Sequence, residues 1–216
     1  MTEVLRFYLL TNELKYIIRT GWKYWAVPSE RLESIAEHVY GTCMLAIAID
    51  SEYELDININ RVIKMLVCHE LEELIIGDIT PFDVVTEEEK LAQGRKAVEK
   101  VLGNLIKKDE YIKLLNEFDT KETKEAKFAF YCDKLEFYLQ GKIYDDAFNM
   151  DINKADNKIL NSERIIAIRE KGISKVSDIW FESRKELFEN NEIFLELSRE
   201  LNDTDTSFVL KKTNEN

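Results

Sequence analysis

Histidine occurs at two positions in this chain of 216 residues, His38 and His69, and each stands beside carboxylates. Glu37 precedes the first. Glu70 follows the second, with Glu73 one helical turn beyond His69. Imidazole nitrogen and carboxylate oxygen are the usual donors to Zn, Mn, Fe or Co, and two helices packed face to face can converge them on one ion. On a helix, His69 and Glu73 share a face because they are four apart, while Glu70 lies about 100° around, so all three border one cavity. A divalent-metal centre is the chemistry this pattern admits. The spacing is equally compatible with a satisfied core histidine among solvated acids.

A longer string narrows the reading. Arg19-Thr20-Gly21-Trp22, Glu33-Ser34-Ile35-Ala36-Glu37-His38, His69-Glu70-Leu71-Glu72-Glu73, Gly77-Asp78-Ile79-Thr80-Pro81 and Asp133-Lys134-Leu135-Glu136 follow one another in an order that resembles the HD-domain 5'-deoxynucleotidases. The resemblance implies an all-helical, metal-dependent enzyme, often dimeric, that removes the phosphate from deoxyribonucleoside 5'-monophosphates. It implies one divalent ion (Mn, Co, Fe, Zn or Mg) held by His38, His69, Glu70 and Asp133. It also makes Glu73 the catalytic acid and Asp78 a second acid at the substrate, and turns Arg19 and Trp22 toward the nucleotide. The family's characteristic pair is His-Asp, whereas Glu70 stands here. One extra methylene moves the carboxylate by about a bond length, so a shifted site or a changed metal preference is expected rather than a lost one.

For Glu73 and Asp78 the alternative is ordinary exposed acid on a Glu-rich helix end. For Trp22 it is a packing anchor, and for Arg19 a favourable charge at a helix C-terminus. Glu72 has no counterpart in the family pattern and reads as surface. Cys43, Cys68 and Cys132 lack CxxC spacing, so buried thiols are expected instead of a thiolate site.

The elements that must position these residues are helical. Leu5, Leu9, Leu10, Leu14, Ile17 and Ile18 form the apolar stripe of a helix from Val4 to about Ile18. Trp22 to Arg31 reads as a loop. Ser34 with Glu37, and Thr86 with Glu89, form capping boxes; the second opens a helix through about Leu102. A helix capped by Asn58 or Asn60 is expected to run as far as Gly77, which ends it. Further helices are expected at Glu110 to Phe118 and Lys121 to Leu139, the latter carrying Asp133, with three more beyond. The whole is an all-α HD-domain helical bundle with additional C-terminal helices. Residues 1–145 are the expected core and 146–205 an extension packed on the same domain, for which covering the pocket, extending a dimer interface and binding a partner are the open roles. Residues 206–216 are the expected flexible tail.

Composition sets outer bounds. A net charge of −12 opposes binding to polymeric nucleic acid, which needs a basic surface, but leaves a small nucleotide open because a metal and one or two basic residues can reverse the field locally. No apolar run reaches membrane-spanning length and no signal-peptide pattern opens the chain, so a cytoplasmic protein, homodimeric by the resemblance, is expected. Two other functions stay open at this point. One is a different HD-type phosphohydrolase acting on a triphosphate, cyclic or signalling nucleotide; the other is a non-catalytic helical nucleotide-binding or interaction protein with an altered site.

Overall fold

A computed structural model of the chain describes residues 1–211. Among them every regular element is helical, and the only extended pairing is an isolated antiparallel bridge between Ile18 and Ser34. The helices are α1 (Glu3–Thr11), α2 (Thr20–Tyr24), α3 (Ile35–Glu52), α4 (Ile59–Cys68), α5 (Glu73–Ile76), α6 (Glu87–Leu102), α7 (Lys108–Thr120) and α8 (Lys124–Phe148), followed by α9 (Asn157–Leu160), α10 (Glu163–Glu170), α11 (Val176–Phe188), α12 (Glu192–Asp203) and α13 (Phe208–Lys211). None of them is long and apolar enough to cross a membrane.

Two compact units result. The first comprises Met1–Arg19 and Glu33–Asp133, the second Thr20–Leu32 and Lys134 onward. The units therefore interleave in sequence, whereas the expected division at 145/146 falls inside the continuous helix α8.

In the first unit α3 packs on α4, α4 and α6 pack on α7, and α5 packs on α6. Leu14, Ile35, Cys68, Leu71, Val98, Val101, Leu102 and Leu115 form a buried core between these helices. Both expected capping boxes are present: Ser34 caps α3 with Glu37, and Thr86 caps α6 with Glu89. Each satisfies two backbone donors that a helix start would leave open.

Among the described residues α8 runs on to Phe148 and five helices follow it where three were expected, and three further departures lie nearer the site. The first helix ends at Thr11 rather than Ile18, where the chain tightens into a 3₁₀ turn at Asn12–Lys15 and the Thr11 hydroxyl shares its proton between the Phe7 and Tyr8 carbonyls at 2.9 and 3.2 Å. The expected loop at Trp22–Arg31 begins instead as α2, closed by Trp25 N–H on the Gly21 carbonyl at 3.0 Å. The third departure, at His69, shapes the site.

The second unit is built around aromatic rings. Trp22 stacks on Phe137 with centroids 4.8 Å apart and meets Tyr144 and Trp180 edge-on; Trp25 meets Trp180 likewise. Beside them lies a buried polar network. Asp145 accepts from the Ser177 and Met150 amides at 2.7 and 3.1 Å. Lys142 donates to the Thr204 carbonyl at 2.7 Å and pairs with Asp146. Asp146 also accepts from the Thr206 amide and hydroxyl at 2.9 and 3.0 Å, and Thr206 and Ser207 are buried. These are the first two residues of the expected tail; its last five, 212–216, lie outside the described residues.

Candidate metal centre

The run expected to be one helix up to Gly77 breaks at Cys68. The His69 Nδ1 lies 2.7 Å from the Leu66 carbonyl, an acceptor that a continuing helix would use for its own backbone. The chain then turns through tighter bonds, Leu71 N–H to Cys68 O at 3.1 Å and Glu73 N–H to Glu70 O at 3.2 Å, before α5 begins at Glu73. His69, Glu70 and Glu73 thus stand on a tight turn rather than on one regular helical face.

This turn converges with α3 and α8. His38, wholly buried on the first turns of α3, places Nε2 at 3.1 Å from Asp133 Oδ1 and 3.5 Å from Glu70 Oε1. His69 Nε2 is 3.3 Å from Glu70 Oε1 and 3.9 Å from Asp133 Oδ1. One donor atom from each of His38, His69, Glu70 and Asp133 lies within 4.8 Å of every other. The structure thus brings together all four residues expected to hold metal.

The donor set passes a chemical test of fit. With Nδ1 donating to Leu66, the remaining lone pair of His69 sits on Nε2, which is buried and has no hydrogen-bond partner. Such a backbone bond is the usual device for fixing the tautomer and aim of a ligating imidazole. Two imidazoles and two carboxylates suit Zn, Mn, Fe or Co, and a cation would offset acids drawn together out of water. Burial opposes ionisation of Glu70, and in the absence of a cation the adjoining imidazoles, when protonated, hold its pKa below the ordinary carboxylate range. The Phe118 ring packs at 5.4 Å from that of His69 and walls the turn on one side.

Glu73 lies next to this cluster. It is buried, and its Oε2 has no hydrogen-bond partner. Burial first, then the charges of Glu70 and Asp78, push its pKa far up. Asp78 follows Gly77, whose φ of 75° and ψ of 170° turn the chain sharply out of α5. The loop beyond is braced by Asp83, which accepts from the Thr80 amide and hydroxyl, both at 2.8 Å. Arg19 is half-buried just before α2, with its amide on the Glu33 carbonyl at 3.1 Å.

Trp22 sits deep: its side chain is 0% exposed, and Phe137, Tyr144 and Trp180 surround its ring, so it anchors packing in the second unit. Glu72 is a correction. Read as surface, it is half-buried against Gly94, and burial together with the Glu70 and Asp119 charges raises its pKa to about 7. Cys68 and Cys132 are buried thiols; burial raises the pKa of Cys68 to about 11 and that of Cys132 well above the usual thiol value, which suits packing and not ligation.

Sequence reasoning missed Lys90, on the first turns of α6, whose ammonium donates to the Ile79 carbonyl at 2.9 Å. No local pattern marks it, since the contact depends on how α6 folds back over the loop.

A family model described as the HD domain matches residues 11–173. The chain is 34% identical over 150 residues to the 5'-deoxynucleotidase HDDC2 of Bos taurus, covering 68% of this chain and 70% of that one. Among solved structures it is similar to a conserved hypothetical protein from Pyrococcus furiosus, with a TM-score of 0.66 at 24% identity, over 93% of this chain and 99% of the other. A predicted metal-dependent phosphohydrolase from Magnetospirillum magnetotacticum matches with a TM-score of 0.56 at 26% identity, over 67% and 71% of the two chains.

Proposed function

This chain belongs to the HD-domain family, and on that premise we propose that it is a metal-dependent phosphohydrolase that removes the 5'-phosphate from (deoxy)ribonucleoside monophosphates, the deoxy form preferred. One observation carries the proposal: the four donors of His38, His69, Glu70 and Asp133 gathered around a buried imidazole nitrogen that lacks a partner. The substrate class follows the names of relatives such as the Bos taurus 5'-deoxynucleotidase.

In this reading His38, His69, Glu70 and Asp133 hold one divalent ion. When bound, such an ion supplies Lewis acidity toward a phosphoryl oxygen and makes water nucleophilic near neutral pH. The remaining work falls to the protein. Glu73 orients the attacking water or carries the proton of the leaving 5'-oxygen. Arg19 holds the phosphate dianion with paired hydrogen bonds, offsetting an acidic surround. Asp78 accepts a hydrogen bond from the sugar 3'-hydroxyl. This reading gives Trp22 a packing role among Phe137, Tyr144 and Trp180 in place of the sugar contact that the resemblance implies. The proposal includes a cytoplasmic homodimer whose partner is a small nucleotide, with no polymeric nucleic acid and no membrane.

The deciding experiment is phosphate release from dAMP and AMP by metal-stripped protein with Mn, Co, Mg or Zn restored. Metal-dependent release that favours dAMP is expected. Absence of release with every metal, in protein that nonetheless binds one, would remove nucleoside monophosphates as substrates.

A further inference from the structure

We propose that Lys90 is a positioning residue for this reaction: from α6 its ammonium clamps the loop that follows Glu73 and sets a fixed positive charge beside acids that must receive a phosphate dianion. The inference rests on the phosphohydrolase reading above and assigns a task to a residue outside the expected site.

The geometry of the clamp is local and complete. Gly77 N–H bonds the Glu73 carbonyl at 3.0 Å and closes α5, and two residues later the Ile79 carbonyl accepts from Lys90 Nζ at 2.9 Å. Asp78 lies between these two fixed points, so its backbone is held from both sides. The Thr80 and Asp83 brace secures the outgoing chain. Because α6 starts at the Thr86 capping box and packs on α5, the base of Lys90 is itself well anchored.

Helix electrostatics do not account for a lysine here. The first turn of α6 carries Glu87, Glu88 and Glu89, as the positive end of a helix favours, and Lys90 follows them directly with its amide on the Thr86 carbonyl at 2.9 Å. Lys90 stands at the end of that turn, where the dipole disfavours a cation only weakly and Glu87 three residues earlier offsets it, so helix electrostatics neither require nor exclude it. Its ammonium is held instead by the Ile79 carbonyl, one residue beyond Asp78. Glu70, Glu72, Glu73, Asp78 and Asp133 are all acids of this one region, and a dianionic substrate adds two more negative charges. A fixed cation limits the repulsion that would drive the Asp78 loop away as substrate arrives.

The test compares Lys90→Met, which keeps an unbranched stem without charge, and Lys90→Arg, which keeps charge and donors. Each full chain, loaded with the most activating metal, is assayed on dAMP for kcat and KM, with metal content and amide exchange of residues 78–80 measured in parallel. In Lys90→Met, kcat is expected to fall about ten- to a hundredfold with KM changed by less than about threefold. Metal content should stay unchanged and exchange at residues 78–80 should quicken; Lys90→Arg should recover most of the lost turnover. Turnover of Lys90→Met within about twofold of the unaltered chain, or a loss that Lys90→Arg shares in full, overturns the proposal. If the unaltered chain releases no phosphate from any nucleotide, the phosphohydrolase reading fails by itself and exchange decides on Lys90. Unchanged protection of residues 78–80 in Lys90→Met then overturns the clamp, and faster exchange upholds it.

Discussion

His38 Nε2 and Asp133 Oδ1 lie 3.1 Å apart although 95 residues separate them in the chain. Neither has a local reason to face the other; α3 and α8 bring them together, and both are buried. Asp133→Asn keeps the size of the side chain and removes its charge. It is expected to weaken metal binding by more than about a hundredfold, beyond the usual cost of losing a group that only supports a ligand, without unfolding the chain. Titration of metal-stripped protein with Mn or Zn, followed by calorimetry, measures this, and affinity equal to that of the unaltered chain would exclude Asp133 as a ligand.

Glu73→Gln separates chemistry from metal retention. The four donors do not include Glu73, so metal content should hold while kcat falls by about 10²- to 10⁴-fold. Retained turnover would take Glu73 out of the mechanism. Loss of metal alongside turnover would move it into the ligand set.

Trp22→Ala should act as a core deletion. The ring is wholly buried among Phe137, Tyr144 and Trp180, so a loss of about 3–5 kcal/mol is expected in denaturant unfolding. Trp22→Phe should recover much of it. A variant of unaltered stability whose KM for dAMP rises selectively would assign Trp22 to the substrate instead.

These expectations mark where local sequence pattern carries information and where it stops. Ser34 with Glu37 and Thr86 with Glu89 were readable because a capping box is made within four residues and depends on nothing beyond them. The set His38, His69, Glu70 and Asp133 was readable through family resemblance; from spacing alone His69, Glu70 and Glu73 belonged on a regular helix. The turn at His69 was hidden because a side chain, not the backbone, claims the Leu66 carbonyl. Trp22 looked like a loop aromatic because its partners Phe137, Tyr144 and Trp180 are distant in sequence. Lys90 was invisible for the same reason: its acceptor, Ile79, is defined only once α6 folds back.

Asp146 gives a pH signature. Although burial opposes its ionisation, Lys142 and the Thr206 amide and hydroxyl lower its pKa from 3.8 to about 2. The folded pKa is the depressed one, so the stabilisation is fully present above about pH 4 and is lost as pH falls toward about 2. Asp146→Asn should therefore be less stable than the unaltered chain at pH 5, with the difference narrowing steadily by pH 2. Urea unfolding across that range checks it; a difference independent of pH would assign the effect to packing alone.

Gly77 adopts φ 75° and ψ 170°, and a methyl group placed on it would meet no atom within 4 Å. An alanine there would have ample room and still be refused, because the backbone angles, not any neighbour, exclude it. In a library of variants selected for activity, this position should stay glycine while roomy surface positions drift. Its constancy would mark the bend that delivers Asp78, and inspection of contacts would never reveal it.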